Sequence, residues 1–198
     1  YDGKSYGTLL FDRDKERRKH YALEHTGYLK GGNIPEAMKK DGKRTDLLDG
    51  KAGTAFNFRD KLSALSDKKC LRAEIRFSTA YYSTFKYSEN NGLYYKYHSG
   101  QKHMDSATNS QLSYTNLFIL QTDVHVYKDG KIMEVDWKGG DGYYISQGTV
   151  TEITWKKPTE QDYVTYYDKA TGKELEVNPG KSYIAVCKKG QTTLSETK

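Results

Sequence analysis

From residue 70 onward the chain alternates between apolar and polar positions. Leu71, Ala73, Ile75 and Phe77 are separated by Arg72, Glu74 and Arg76, a period of two that predicts a strand with one buried and one wet face. Longer runs of the same kind follow at STFKYSENNGLYYKYHSG, LFILQTDVHVYKDGKIMEVDW, GYYISQGTVTEITW and YVTYYDKATGKELEV. Each is interrupted by a turn-forming pair: Asn91-Gly92, Asp129-Gly130, Gln147-Gly148 and Thr171-Gly172. Asn91-Gly92 is the strongest of these signals, because a two-residue type I′ turn needs positive φ at both positions. KHMDSATNSQLSYTN reads as a long polar connection, and KSYIAVCKK as a final strand. Hairpins at this spacing predict an antiparallel meander, curled or folded into a sandwich.

Within KGGDGYYISQGTVTEITWKK, Tyr143 and Tyr144 are adjacent on a strand and must face opposite sides of its sheet. One ring belongs to the core. The other, with Trp155, is either open to a ligand or covered by the N-terminal part of the chain. Gly140 and Gly142 are expected to let the chain turn into this hairpin.

Upstream, the pattern is mixed. NIPEAMKKDGKRTDLLDG contains one convincing helix, with Asn33 as its cap, Pro35 in its first turn and Glu36 near its positive end. Ile34, Ala37 and Met38 form a short apolar face. Lys39 and Lys40 occupy the last turn, and Gly42 ends the helix in a left-handed conformation. TAFNFRD alternates Phe56 and Phe58 as a short strand, and DKLSALSDKK is a loop. The expected class is α+β: an incomplete mixed N-terminal piece over residues 1–69, a mostly antiparallel, meander- or sandwich-like β domain over 70–190, and a polar tail over 191–198 that should fray.

Composition adds a second constraint. Hydrophobic residues make up 35% of the chain, and the aromatics are 18 Tyr against 6 Phe and 2 Trp. A tyrosine buries a ring but leaves a hydroxyl needing a partner, which suits half-buried sheets better than a helical bundle. Tyr81-Tyr82, Tyr94-Tyr95, Tyr143-Tyr144 and Tyr166-Tyr167 each place one ring on each face of a strand. The outward rings suit cross-strand packing first, and sugar stacking or partner binding second. The formal charge of +6 is spread over RDKERRK, KKDGKR and WKKP, each near acids or turn residues. A solvated surface is the first reading of that charge, and a polyanion-binding surface the second. Nucleic acid ranks last as a partner, since no zinc-finger, RNA-recognition or basic-helix motif is present.

Cys70 and Cys187 are the two cysteines, too few and too distant in sequence for a disulfide framework. They could pair only if the fold brought them together. YDGKSYGTLLFDRDKERR lacks the form of a signal peptide, and no run approaches the length of a membrane span. The chain does not start with Met, so it is expected to be part of a longer protein.

Few residues suggest chemistry. His103 and Asp105 lie two apart, and on an extended segment both would point the same way, as a base with its orienting carboxylate or as metal ligands. The alternative is a turn capped by Asp105 beside a solvated His103. His25 follows Glu24 without the second histidine of a metalloprotease helix, and His125 belongs to a strand face. Asp136 and Asp141 flank Trp137, a carboxylate pair of unspecific spacing that reads first as hairpin-end acids. No serine-nucleophile elbow, activated cysteine or phosphate loop is present. No cofactor and no metal is expected.

YSENNGLYYKYHSGQKHMDSATNSQLSYTNLFIL carries, in order, Tyr95-Lys96-Tyr97, Gly100, His103, Asp105, Thr108, Gln111-Leu112 and a hydrophobic strand from Leu117 to Leu120. Gly140, Gly142, Tyr143-Tyr144, Gly148 and Thr154 to Lys157 follow. Tyr167-Asp168, Gly172, Leu175 and Asn178-Pro179-Gly180-Lys181 end the series. In this order the motifs resemble the YerB-like family of bacterial lipoproteins of uncharacterised function, over residues 70–188. FDRDKERR resembles a tract near the end of that family's N-terminal domain, where a Pro-His-Asn segment follows. Here Glu24-His25-Thr26 stands in its place, a departure that weakens any carry-over to His25. A Gly-Pro-Val-Arg-Ser-x-Arg-like tract that the family carries further upstream is not in this chain.

The resemblance implies export and lipid anchoring through an N-terminal cysteine outside this chain, and no activity. The expected function is therefore an extracytoplasmic lipoprotein at the membrane of a Gram-positive cell, binding or scaffolding an envelope protein or glycan. The alternative is a hydrolase-like enzyme with an inter-domain site around His103 and Asp105, joined by Arg13 or His25. Tyr144 and Trp155 complete the set of candidate binding residues.

Overall fold

A computed structural model describes residues 6–46 and 56–197. The chain divides into two compact units, Tyr1–Gly53 and Thr54–Lys198.

The first unit holds an antiparallel ribbon of Phe11–Arg13 with Gly27–Leu29, several short 3-10 turns and the helix Ile34–Lys40. The helix has Pro35 and Glu36 in its first turn and Lys39 and Lys40 in its last, and its Ala37 is buried. Gly42 follows at φ +61° and donates its N–H to the Lys39 carbonyl. Asn33 does not cap the helix as expected. Its side-chain amide donates instead to the Leu9 carbonyl at 2.8 Å, tying the start of the helix to the turn before the ribbon.

The second unit is built on two sheets. In the first, the strand order is Ser113–Tyr114, Leu93–His98, Tyr82–Ser88, Arg72–Arg76 and Thr192–Ser195, with Gln101–Lys102 also paired to Leu93–His98. In the second, the order is Thr165–Asp168, Thr149–Lys156, Gly139–Ser146, Asn116–Gln121 and Ser182–Cys187. Most pairs are antiparallel, but Asn116–Gln121 runs parallel to Ser182–Cys187, and Asn57–Phe58 runs parallel to Glu176–Val177. The class is thus α+β, dominated by antiparallel sheet. The parallel pairs are departures from a pure meander, since parallel neighbours need a long crossover that local alternation does not reveal.

Residues 73, 75, 85 and 94 of the first sheet (Ala, Ile, Phe and Tyr) pack against Leu117, Ile119, Ile145, Val150 and Ala185 of the second. This is the sandwich core. Residues one position along, Phe118, Leu120, Tyr144, Ile153 and Trp155, point to the opposite face of the second sheet and join Tyr166, Leu175 and Val177. Phe56 and Leu65 pack on that second core, so the sheet is covered on both sides. The strand Asn116–Gln121 is accordingly apolar at consecutive positions, as a strand buried on both faces should be.

Three local expectations change. The Asn91-Gly92 hairpin has a four-residue loop closing on the pair Ser88 and Leu93, and only Gly92 has positive φ. Type I′ geometry occurs at Gln147-Gly148, with φ of 51° and 75°, and at Ser99-Gly100, with 44° and 85°. The polar connection after Gly100 is not structureless, since Met104–Asp105 pairs with Ser110–Gln111. The tail expected to fray instead forms the edge strand Thr192–Ser195, held because Leu194 packs on the sandwich core.

Candidate functional site

His103 lies between Gln101–Lys102 and Met104–Asp105, so His103 and Asp105 do not share one continuous strand. The His103 N–H donates to the Lys96 carbonyl at 3.1 Å, and its carbonyl accepts the Leu112 N–H at 2.9 Å. Its Nδ1 is buried with no hydrogen-bond partner among the described residues. Desolvation, then the charges of Lys96 and His98, hold its pKa below the ordinary histidine value. Asp105 accepts the Thr108 hydroxyl at 2.7 Å and the Ala107 N–H at 3.2 Å, bonds that lower its pKa. The carboxylate closes a turn and the imidazole sits among cations. The geometry of a base oriented by its carboxylate is therefore not assembled.

Arg13 and His25 belong to the first unit. The Arg13 guanidinium donates to the Leu23 carbonyl and lies over the Phe11 ring at 5.2 Å. His25 is exposed in the turn Leu23–Thr26. Local contacts account for Arg13, and among the described residues none orients the His25 side chain.

Tyr144 and Trp155 are each only 1% exposed, so neither ring can serve as a binding surface. Tyr144 is sealed beneath the chain around Ser63 and Asn178. Trp155 donates its indole N–H to the Asp141 carbonyl at 3.2 Å. The expected free ring is lacking because both faces of this sheet are covered: Tyr143 packs toward the sandwich core and Tyr144 into the second core. Gly140 and Gly142 lie inside the strand Gly139–Ser146 and do not lead into it. A Cβ would stand 2.1 Å from the Gln121 carbonyl oxygen at Gly140 and 2.4 Å from that of Ile119 at Gly142. They permit close approach of the neighbouring strand, not a turn.

An exposed aromatic that borders Trp155 is Trp137. It is 47% exposed, and its ring meets Trp155 edge-on at 6.2 Å and 74°. Trp137 follows the ribbon Val124–Val126 and Met133–Val135 and lines a groove of about 640 Å³ with His125, Glu134, Lys138, Pro158 and Glu160. Both walls are fixed by local bonds. On one side, Asp136 donates its N–H to the Asp123 carbonyl at 2.9 Å, and its carboxylate accepts the Lys138 N–H at 3.0 Å. On the other, the Lys157 ammonium donates to the carbonyls of Thr159, Glu160 and Asp162 at 2.7–2.9 Å. His125 pairs with Glu134 at 3.2 Å.

The groove therefore offers an apolar indole edge and a proline, with Lys138 and Glu160 at the rim. An apolar wall with a few polar groups around it is the usual make-up of a small-molecule site. Asp136 and Asp141 line a separate depression with Asp123, and Asp141 pairs with Lys169 at 2.9 Å. Trp137 was visible in the sequence only as the residue between those acids. Its placement at the end of a hairpin predicts exposure, and its support by Trp155 needs the fold.

Fold and site together define an α+β protein whose second unit is built on two sheets and carries an open groove, with no cluster of metal-ligating side chains among the described residues. The profile of the C-terminal domain of a protein of unknown function, DUF3048, matches residues 73–184, and the chain belongs to that family. The crystal structure of the YerB protein from Bacillus subtilis is similar to this chain, with a TM-score of 0.76 at 19% sequence identity. The match covers 98% of this chain and 62% of YerB, so the chain spans less than two thirds of that relative's length. No curated protein matches the chain. The family is uncharacterised, and at this identity the likeness to YerB shows the fold alone.

Proposed function

We propose that this protein is an extracytoplasmic, envelope-associated lipoprotein that binds or scaffolds, and that its Trp137 groove holds a sugar ring of an envelope glycan. The observation that carries the groove's role is the half-exposed Trp137, held edge-on against buried Trp155 in a groove with fixed walls. A rigid aromatic loses little entropy on binding, and its apolar surface fits the apolar face of a pyranose while rim groups meet the hydroxyls. Export and anchoring follow from the sequence resemblance and rest on it.

The test uses the full-length, anchored protein and soluble glycan fragments released from envelope fractions, with binding followed by tryptophan fluorescence. Covering half an indole is worth about 1–2 kcal/mol, so Trp137→Ala should weaken binding roughly tenfold. Equal binding by wild type and Trp137→Ala would remove the groove from the reading. Failure to recover the protein with membranes would remove the anchoring.

A further inference from the structure

The outward face of the first sheet presents a second chemistry. Pairing aligns Arg72 with Lys86, Lys86 with Tyr95, and Tyr95 with Ser113 in one row across the strands. The next row runs Glu74, Thr84, Tyr97 and Lys102, and Arg76 stands beside Tyr82 in a third. Side chains in these rows share a face, since neighbours across a sheet point the same way. The face thus carries four cations and a single carboxylate. That carboxylate, Glu74, is held between Arg72 at 2.5 Å and Arg76 at 2.7 Å. Lys86 and Lys102 are exposed and have no ion-pair partner among the described residues. With Tyr95, Tyr97 and Gln111 they line a shallow depression of about 390 Å³.

The geometry points to this face as a binding surface for a linear anionic polysaccharide, one carrying carboxylates on successive sugar units. The cations extend across the sheet: Arg72 and Arg76 meet on Glu74, but Lys102 lies three strands beyond Arg76, roughly 14 Å away at about 4.8 Å per strand. A single small anion cannot span that distance, whereas a chain of regularly spaced charges can. The tyrosines argue for sugar over nucleobase. Arg76 lies over the Tyr82 ring at 4.2 Å and Lys86 over the Tyr97 ring at 5.3 Å, so two of the three rings already carry a cation on one face. Base stacking needs open ring faces. What remains outward is a set of ammonium, guanidinium and phenol donors, which suits carboxylates and hydroxyls. The surface shares no residue with the Trp137 groove, so the two assignments stand or fall separately.

The experiment titrates the full-length protein with polygalacturonate, with neutral dextran and with a single-stranded thymidine oligonucleotide of matched charge, at low and moderate salt. The expected result is binding to polygalacturonate that weakens with salt, no binding to dextran and weaker binding to the oligonucleotide. Lys86→Glu with Lys102→Glu should lower the affinity at least tenfold, Lys86→Gln with Lys102→Gln should lower it less, and Trp137→Ala should leave it unchanged. Thermal melts of the glutamine pair confirm folding at these exposed positions. Undiminished binding by the glutamate pair, equal binding to dextran, or tighter binding to the oligonucleotide would each overturn the assignment.

Discussion

Tyr144 donates its phenolic hydrogen to Asn116 Oδ1 at 2.8 Å, inside a polar knot sealed from solvent. The same phenol oxygen accepts the Asn178 N–H at 2.9 Å, and Asn116 returns its amide to the Asn178 carbonyl at 2.7 Å. Asn178 in turn accepts the Ser63 N–H at 3.0 Å and donates to the Ser63 carbonyl at 2.8 Å. The knot fastens the chain around residue 63 and the turn at 178 to the central strands of the second sheet. Tyr144→Phe keeps the ring but leaves the Asn178 N–H without its acceptor. The expected cost is about 1–3 kcal/mol, read as a lower urea midpoint at unchanged slope. An unchanged midpoint would mean that the knot is not fastening the fold.

Gly142 makes a sharper steric prediction. Its φ is not positive, so the demand for glycine comes from the adjacent strand, where the Ile119 carbonyl oxygen would lie 2.4 Å from a Cβ. Gly142→Ala must push the strands Asn116–Gln121 and Gly139–Ser146 apart in the middle of the sheet. Overpacking of this kind costs about 1–3 kcal/mol. The change should appear as lost stability and faster amide exchange at Leu120 and Gly142, whereas Gly172→Ala, at a turn with open space, should affect only its own hairpin.

His103 predicts a pH dependence. Its folded pKa lies below the ordinary value of 6.5, first through desolvation and then through Lys96 and His98. Below that ordinary value the unfolded chain takes up a proton that the folded chain resists. Stability is therefore fully present above 6.5 and is lost as pH falls toward the folded pKa. His103→Gln, which cannot titrate, should flatten the fall in melting temperature between pH 7.5 and 5.5. A fall of the same depth in both proteins would place the pH response elsewhere.

These residues also show how far the fold was legible in the sequence. The alternation through Ala73 and Ile75 identified a half-buried strand, and Gln147-Gly148 marked a true two-residue turn, because both signals are local. Asn91-Gly92 misled because its asparagine side chain is used to donate to the Tyr95 hydroxyl at 2.7 Å while a four-residue loop makes the turn. Tyr144 and Trp155 misled for a longer-range reason. Alternation says that adjacent rings face opposite sides, but not that both sides are covered, and the cover comes from Phe56, Leu65, Leu175 and Val177, far away in sequence. The basic face of the first sheet was dispersed in the same way: Arg72, Lys86 and Lys102 become neighbours only through strand register.

The cysteines make the last prediction. Cys70 and Cys187 lie in the same sandwich core, are 0% and 1% exposed, and are both free thiols. Burial pushes the Cys70 thiol up to about 11 and raises that of Cys187 as well. Since the thiolate is the reacting species, both depressed access and depressed ionisation protect them. Native protein at pH 8 should show almost no reaction with a thiol reagent, and unfolded protein should release two equivalents. Because the sheets must part before either sulfur is reached, the slow native labelling rate reports the opening equilibrium of the sandwich. It should therefore rise in Gly142→Ala, which strains the second sheet, and stay unchanged in Trp137→Ala, whose ring meets Trp155 on the side of that sheet away from the cysteines. Rapid labelling of native wild type would show that the core around Cys70 opens without the sheets separating.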